Sequence, residues 1–497
     1  MTTTHAAAEQ FTTRDPATGL ITGRWPVDGP AVVAERVDRA RLAARWWADL
    51  DPTQRRARLL AWKRLVARRL DELADVVHRE TGKPHGDAVL EIVAAIEHID
   101  WSARHAASVL GRRAVRPGVL SMNQRAWLEY QPLGVIGVIG PWNYPVLTPL
   151  GSIAYALAAG NAVVFKPSEL TPATGAWLVD VFAEVVGEQP VLALVTGPAS
   201  TGEALCQAGV DKIAFTGSAR TGRAVMASCA QSLTPVLMEC GGKDAMVVDV
   251  DADLDAAADA AAWGGLSNAG QTCVGIERVY VAAPVYEEFL ARLVAKVRDL
   301  RPGSDDDADY GPATLPAQLD VIDRHVRDAL DRGAHAVVGG ADAVHGRYVD
   351  PVVLTDVPED APAVTEETFG PTLTVARVRD GEEGVDRANA SPYALGGAVF
   401  GKANGVALAR RMRSGMTSVN AALAFAFVPS LPFGGSGESG FGRIHGEDGL
   451  REFSRAKAVT SQWVALPVAL TSFSRSPRTT RALVTAVEVL HGGRRFL

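Results

Sequence analysis

Residues 134–140 read GVIGVIG, and residues 162–167 read AVVFKP. Both are short runs rich in β-branched residues, which favour buried strands. Between them, PLGSIAYALAAG (149–160) has the apolar spacing of a helix and ends in a glycine, a common helix terminus. A strand, a helix and a second strand at this spacing predict a βαβ unit on a parallel sheet.

The same alternation of strands and helices continues to about residue 428. VLALVTG (191–197), KIAFTGS (212–218) and TPVLMECGG (234–242) extend the first block. A second block, from about 241 to 428, begins with DAMVVDV and RVYVAA. The two blocks predict two α/β domains that meet near residue 240.

The chain outside these blocks has other patterns. Residues 31–111 have the three- and four-residue apolar spacing of helices, with a stop at Gly82-Lys83-Pro84. Residues 1–30 read as an irregular arm, and residues 119–133 alternate like an antiparallel hairpin. The tail, 464–497, predicts a short amphipathic helix that is solvated or contacts another subunit.

The composition is that of a globular protein, with 497 residues, 47% apolar residues and a net charge of −7. This acidic balance argues against a nucleic-acid partner. The four cysteines form no CxxC pair and no zinc-ligand spacing, which argues against a metal site and is typical of a reducing cytoplasm. Neither a signal peptide nor an apolar run long enough to span a membrane is visible, so a cytoplasmic protein is expected.

Two turns after predicted strands carry residues suited to a dinucleotide. FTGSARTG (215–222) places Gly217 and Gly222 where a strand passes into a helix, so the backbone can approach a pyrophosphate. Lys166 and Glu169, in VVFKPSELTP (163–172), can hydrogen-bond a ribose. The fingerprint GxGxxG is absent, and each turn alone is also typical of an ordinary strand–helix connection.

Three further residues carry groups suited to catalysis. Cys273, in AGQTCV (269–274), can be a nucleophile if nearby donors stabilise its thiolate. Glu239 ends an apolar run, and a desolvated carboxylate there is suited to general-base work because its pKa is raised. Asn143, in GPWNYP (140–145), can donate to an oxyanion. Each of the three, taken alone, can equally be a structural residue.

Taken together, the motifs resemble the NAD(P)-dependent aldehyde dehydrogenase superfamily. The matching stretches occur in that family's order across about residues 20–460: GPWNYP, VVFKPSELTP, FTGS, MECGGK, AGQTC, EETFGP and PFGGSGESGFGR. The resemblance implies an α/β fold with two Rossmann-type domains and a small oligomerisation hairpin. It also implies an enzyme that oxidises an aldehyde to a carboxylic acid with NAD or NADP.

The resemblance implies a role for each matching residue. Cys273 would be the nucleophile, Asn143 and the Cys273 backbone N–H the oxyanion hole, and Glu239 the base that activates water. Glu239 also favours hydrolysis over acyl transfer to coenzyme A. Lys166 is counted with the catalytic residues and with those implied at the cofactor, which are Trp142, Lys166, Ser168, Glu169, Thr216, Gly217, Ser218, Gly222, Glu367 and Phe369. Glu169 favours NAD, while Ser168 leaves room for NADP.

The resemblance also predicts how the chain is divided and assembled, as a homodimer or homotetramer. The expected divisions are an N-terminal arm with helices of the cofactor domain (1–118), an oligomerisation hairpin (119–133), the NAD(P)-binding domain (134–240), the catalytic domain (241–428), a return to the cofactor domain (429–450), and an oligomerisation strand with the C-terminal tail (451–497).

The substrate is predicted from the entrance. AALAFAFVPSLPFGG (421–435) is apolar and favours an aliphatic or aromatic aldehyde. The glycines at 264 and 265, with Ser267, remove bulk and indicate a wide passage. GQTCVGIERVYV instead resembles succinate-semialdehyde dehydrogenases, with Arg278 available for a carboxylate. A cysteine esterase or a non-catalytic binding relative is the alternative of another class.

Overall fold

In a computed structural model of the protein, the structure describes residues 9–118, 121–305, 307–465 and 471–492. The helices are α1 (Pro30–Asp49), α2 (Pro52–Arg68), α3 (Leu70–Thr81), α4 (His85–Leu110), α5 (Leu147–Ala158), α6 (Pro172–Val186), α7 (Ala199–Gln207), α8 (Ala219–Ala230), α9 (Leu254–Leu266), α10 (Tyr286–Val297), α11 (Ala317–Asp331), α12 (Pro362–Thr365), α13 (Gly381–Asn389), α14 (Gly405–Arg411), α15 (Gly446–Glu452) and α16 (Pro477–His491).

The strands are β1 (Gln10–Arg14), β2 (Ile21–Pro26), β3 (Arg113–Val115), β4 (Gln124–Pro132), β5 (Val135–Ile139), β6 (Ala162–Lys166), β7 (Leu192–Leu194), β8 (Lys212–Thr216), β9 (Val236–Glu239), β10 (Asp244–Val248), β11 (Ile276–Ala282), β12 (His335–Val338), β13 (Val344–His345), β14 (Tyr348–Val349), β15 (Val352–Thr355), β16 (Thr372–Val378), β17 (Tyr393–Ala394), β18 (Gly397–Phe400), β19 (Ser418–Val419), β20 (Ser436–Gly437), β21 (Gly440–Phe441) and β22 (Ser454–Gln462). They lie in one compact unit, Met1–Leu110 with Gln131–Arg455, and in a second, Gly111–Tyr130 with Ala456–Leu497.

The first unit contains a six-stranded sheet in the order β21-β9-β8-β5-β6-β7. Strands β5 to β9 are parallel, as the alternation of strands and helices predicts. Their residues are almost all buried and apolar, which is typical of a parallel sheet covered on both faces. Strand β21 arrives from the glycine-rich segment near residue 440 and pairs antiparallel with β9.

A seven-stranded sheet follows in the same unit, in the order β12-β15-β16-β11-β10-β18-β19. Only β12 is antiparallel to its neighbour there, so this sheet also confirms the predicted α/β class. Two antiparallel strands, β1 and β2, stand where the sequence predicted an irregular arm, and that prediction was wrong. Polar and exposed residues dominate both strands, so their alternation was too weak to read.

The helices before the first sheet end where the sequence predicted a stop. Helix α3 terminates at Gly82, which has the left-handed φ of 73° that favours glycine. The break between α2 and α3 falls at Arg69, without a glycine or proline to mark it. Helix α1 packs against β5 and β6, and Trp47 donates from its ring nitrogen to the Leu157 carbonyl at 2.8 Å.

The second unit contains a three-stranded sheet in the order β22-β4-β3. The predicted hairpin at 119–133 is therefore corrected: β4 pairs with β3, which lies before residue 119. Residues 119 and 120 lie outside the described residues. The tail carries the predicted helix as α16, and within the described ranges no helix is long and apolar enough to cross a membrane.

Candidate active site

The predicted nucleophile and base line one cavity in the first unit. Cys273 and Glu239 stand in its wall together with Tyr144 and Thr216. The remaining wall is mostly apolar and includes Leu90, Leu147, Trp263, Val274, Leu423, Ala426, Phe427, Phe433 and Ile444.

Cys273 is reached through a left-handed turn. Asn268 and Ala269 have φ values of 52° and 56°, which non-glycine residues adopt only when their surroundings hold them there. The Asn268 amide donates to the Asn143 and Gln271 carbonyls, both at 3.2 Å, and the Gln271 amide donates back to the Asn268 carbonyl at 2.9 Å. The turn is thus fixed by side chains buried beneath the cysteine.

The Cys273 thiol has a raised pKa. Its enclosure in the cavity wall is the main cause, and the negative charges of Glu367, Asp244 and Glu239 add to it. The thiol is one of four free cysteines and the only one of them that is not fully buried. A thiol with a raised pKa needs a base to take its proton before its sulfur can attack.

Glu239 is the last residue of β9, paired with Thr216 of β8 and Gly440 of β21. Among the described residues, neither of its buried carboxylate oxygens has a hydrogen-bond partner. Burial raises the pKa of this carboxyl well above its ordinary value. Gly434 makes room for it, because a Cβ there would lie 2.7 Å from Oε1 and the residue has a φ of 147°. The Glu239 carboxyl is therefore desolvated at the end of its strand.

Asn143 is held beside the cysteine loop. Its buried side-chain amide donates to the Gln271 carbonyl at 2.9 Å, two residues before Cys273. The next residue, Tyr144, shares a hydrogen bond of 2.9 Å with the Thr272 hydroxyl. Two consecutive residues of GPWNYP thus bond two consecutive residues of the cysteine loop, which ties the two loops together.

The lysine predicted at a ribose ends β6 and is buried. The Lys166 ammonium donates to the Pro167 carbonyl at 3.0 Å and lies 3.8 Å from the Glu169 carboxylate. Burial lowers the Lys166 pKa, although Glu169 opposes this shift. Ser168 is buried and accepts from the Leu170 N–H at 3.2 Å, whereas Glu169 is half-exposed.

The predicted phosphate turn follows β8. Thr216 lines the cavity, and the Gly217 N–H donates to the Glu239 carbonyl at 3.0 Å. Ser218 caps α8 by accepting from the Thr221 N–H at 3.3 Å. Gly222 packs in the first turn of that helix, where a Cβ would lie 3.1 Å from the Cys240 sulfur.

The EETFGP stretch is brought to the same region. The Glu367 carboxylate accepts from the Gly242 N–H at 3.0 Å, and burial raises its pKa to about 8. Gly241 permits this approach, since a Cβ there would lie 2.2 Å from a Glu367 oxygen. The Phe369 ring meets Trp142 edge-on, with ring centroids 5.6 Å apart. Of the two residues predicted at the nicotinamide, Glu367 therefore stands beside the glycines that follow Glu239, and Phe369 packs against Trp142.

Comparison with known proteins shows the family of the chain. The model of the aldehyde dehydrogenase family matches residues 3–459. The chain belongs to the aldehyde dehydrogenase family. A 4,4'-diapolycopene aldehyde oxidase from Methylomonas sp is 38% identical, over 88% of this chain and 83% of that protein.

Other relatives of this aldehyde dehydrogenase bear different names. A putative succinate-semialdehyde dehydrogenase [NADP(+)] from Mycolicibacterium smegmatis is 35% identical, over 90% of this chain and 89% of that protein. The crystal structure of an NAD-dependent aldehyde dehydrogenase from Sinorhizobium meliloti superimposes with a TM-score of 0.88 and 29% identity, over 93% of each chain. The predicted family and fold are confirmed.

Two buried lysine–glutamate pairs in this aldehyde dehydrogenase were missed by the sequence reasoning. Lys83 donates to Glu91 at 2.7 Å and to the Asn143 carbonyl at 2.8 Å. Glu91 also accepts from the backbone N–H groups of Val146 and Leu147 at 2.7 and 3.1 Å. This pair therefore fixes the backbone of the GPWNYP loop and of the two residues that follow it.

The second pair fixes the backbone of the EETFGP stretch. Lys243 donates to Glu277 and to the Thr368 hydroxyl. Glu277 accepts from the N–H groups of Thr368 and Phe369 at 2.9 and 3.0 Å. Lys243 belongs to the MECGGK motif, which the sequence analysis identified. No sequence signal linked it to Glu277, which is 34 positions away.

Two expectations about the entrance are corrected. A Cβ at residue 265 would lie 2.6 Å from Leu373, and one at 264 would lie 3.1 Å from Ile276. These glycines let α9 pack closely against its neighbours, and they do not widen the passage. Arg278 is buried and donates to the Lys243 and Ala388 carbonyls, so it is not available for a substrate carboxylate.

Proposed function

We propose that this enzyme oxidises an apolar aldehyde to its carboxylic acid, with Cys273 as the nucleophile and Glu239 as the general base. The observation that carries the proposal is that both groups line one mainly apolar cavity. The Cys273 thiol lies within reach of the charges of Glu239 and Glu367, and the amide of Asn143 is tied to its loop.

In the first step, the Cys273 thiol loses its proton and its sulfur adds to the aldehyde carbonyl. The raised pKa of the thiol means that a base must take this proton, and we assign this role to Glu239, whose own raised pKa makes it a stronger base. The carbonyl oxygen becomes an oxyanion, towards which the Asn143 amide and the Cys273 N–H donate. One such donor contributes roughly 10²–10³ in rate.

The oxidation itself needs a nicotinamide dinucleotide, and the residues present fit one. When bound, its ring supplies the hydride acceptor for the thiohemiacetal carbon. The capped start of α8 after Gly217 suits a pyrophosphate, because the free N–H groups and the helix dipole face that end. The Lys166 ammonium and the Glu169 carboxylate, 3.8 Å apart, suit a ribose diol. Glu169 repels a 2′-phosphate, so we propose NAD, with NADP as the second cofactor to test.

Glu239 then releases the proton of the first step to solvent. In the last step, its carboxylate takes a proton from water while the water oxygen attacks the thioester carbonyl. The C–S bond breaks, the acid leaves, and Glu239 returns the proton to the Cys273 sulfur. A desolvated carboxylate is a stronger base than one in water, which supports this role. The reaction as a whole consumes aldehyde, water and oxidised cofactor, and it yields acid, reduced cofactor and a proton.

The cavity supports an apolar substrate over a semialdehyde with a carboxylate. Lys83 is the one cation in its described wall, and it is already paired with Glu91. Asp87 and Glu239 also stand in the wall, and neither acidic side chain can bind a second carboxylate as a cation would. Four residues of the 421–435 stretch stand in the wall: Leu423, Ala426, Phe427 and Phe433. Succinate semialdehyde, named for the Mycolicibacterium relative, remains the rival substrate to test.

The test is the formation of reduced cofactor with a panel of aldehydes, each offered NAD and NADP. Hexanal and benzaldehyde should be oxidised with a higher kcat/KM than succinate semialdehyde. A preference for succinate semialdehyde would overturn the apolar assignment. Hydrolysis of a nitrophenyl ester with no aldehyde oxidation would instead identify a cysteine esterase, and cofactor binding without either reaction would identify a non-catalytic relative.

A further inference from the structure

The mouth of the catalytic cavity is surrounded by large apolar side chains that solvent reaches. Leu90, Trp263 and Phe427 line the cavity and yet are 41%, 42% and 39% exposed. Three neighbours continue this surface outside the cavity: Val93, Val428 and Leu431, which are between 38% and 47% exposed. We call these six residues the apolar rim.

The rim is a connected surface. Val93 follows Leu90 by three residues on α4, so the two side chains share a helix face. The segment with Phe427, Val428 and Leu431 is joined to the same helix, because the ring of His98 lies 3.3 Å from the Ala426 carbonyl oxygen. The Leu431 N–H donates to the Val428 carbonyl at 3.0 Å, which closes the segment into a turn.

Large apolar side chains grouped at the surface usually mark a binding site. Here the rim continues the wall of the catalytic cavity. A molecule whose aldehyde group enters the cavity therefore covers the rim with its other end. Asp87, one turn before Leu90 on α4, also lines the cavity and carries negative charge. An anionic tail is therefore disfavoured at this mouth.

We infer that the substrate is an aldehyde with an extended apolar tail, longer than the cavity, whose far end lies across the apolar rim. This inference rests on the proposed oxidation at Cys273 and adds the substrate class. A rim residue covers only one side of the tail, so each added methylene should gain less than one that is fully buried. A methylene that is fully buried gains about fourfold in affinity, and a methylene that is half buried gains about twofold.

The experiment measures kcat/KM for straight-chain aldehydes from butanal to tetradecanal, kept below the concentration at which they form micelles. With the unchanged enzyme, kcat/KM should rise by about two- to fourfold per methylene up to the longest soluble chains. In a Val428→Ser/Leu431→Ser variant, the rise should stop at an intermediate length, while hexanal is oxidised as before. Val93→Ser, on the other element of the rim, should give the same pattern.

Val406→Ser is the matched control, because Val406 is an exposed valine of α14 outside the cavity wall. It should leave the whole series unchanged. The inference would be overturned if kcat/KM stopped rising at the same chain length in the unchanged enzyme and in the rim variants. A higher kcat/KM for an ω-amino aldehyde, whose cation could pair with Asp87, would also overturn it. So would a changed oligomeric state of the rim variants, which would show that another copy of the chain covers this surface. If short aldehydes are still oxidised, only the tail assignment fails; if no aldehyde yields reduced cofactor, the proposed oxidation fails with it.

Discussion

Removal of the Glu91 carboxylate should lower kcat, because Glu91 holds the backbone that follows the GPWNYP loop. Glu91 and Lys83 are 0% and 1% exposed in their side chains, and the carboxylate has three N–H partners. Glu91→Ala leaves the ammonium without its anion, which costs about 3–5 kcal/mol when such a pair is broken. It also leaves two backbone N–H groups at 146 and 147 without an acceptor, at about 1–3 kcal/mol each.

The unpaired Lys83 ammonium and the two unpaired N–H groups destabilise the native position of the GPWNYP loop by several kcal/mol. We therefore expect the loop to move, and the Asn143 amide to move with it. The expected loss in kcat therefore approaches that of an oxyanion donor, roughly 10²–10³. Glu91→Gln keeps an acceptor oxygen but loses the charge, which is about 1.5–3 kcal/mol for a charged hydrogen bond. It should lose roughly ten- to a hundredfold in kcat if the whole cost is expressed there.

The assay is steady-state formation of reduced cofactor with hexanal, together with cofactor binding followed by fluorescence. Binding should persist, because Lys166 and Glu169 lie on another loop. Asp100→Asn is the matched control: Asp100 is also on α4 and bonds Lys63 at 2.6 Å, but both side chains are about a quarter exposed. Such a pair contributes at most about 1 kcal/mol.

Two results would refute the reasoning. One is an unchanged kcat in Glu91→Ala, and the other is an equal loss in Asp100→Asn. The combination with Asn143→Ala gives a further check. If Glu91 acts only through Asn143, the double variant should be no slower than the slower single variant, because residues that act as a unit are not additive.

The remaining predictions concern the reacting groups. Cys273→Ala should abolish turnover and keep cofactor binding, and retained steady-state turnover would exclude Cys273 as the nucleophile. Glu239→Gln should slow thioester hydrolysis by roughly 10²–10⁴, seen as a burst of reduced cofactor followed by a slow phase, and an unchanged steady-state rate would contradict the base role. Because the active form of Glu239 is the carboxylate and its pKa is raised, kcat should fall as the pH drops through a value well above the ordinary 4.5; a limb near 4.5 that persists in Glu239→Gln would count against it.

Local patterns predicted the elements around the site well. Cys273 precedes β11 and Glu239 ends β9, as the apolar runs and glycines indicated. These features are readable because buried parallel strands are short continuous apolar runs. The family resemblance then supplied the pairing of distant motifs, which periodicity alone does not give. The role of each site residue stays a prediction, and so do the domain divisions.

What escaped prediction depends on contacts between distant positions. The Lys83–Glu91 pair has its third partner 60 residues from Lys83, at the Asn143 carbonyl, and no local pattern marks that contact. The absence of bulk at 264 and 265 was read as open space, whereas the space belongs to Leu373 and Ile276. A missing side chain in a sequence does not show which neighbour occupies its place.

The arrival of β21 beside β9 has a consequence for how the enzyme is made. About 200 residues separate the end of β9 from Gly440, so the outer edge of that strand is synthesised long before its partner. At about 5–20 residues per second, the ribosome needs roughly 10–40 s to supply it. During that time the β9 edge, which ends at Glu239, exposes unpaired backbone groups that can pair with another chain. Chains released before residue 440 should aggregate through this edge, and a chaperone that shields it should raise the yield of active enzyme.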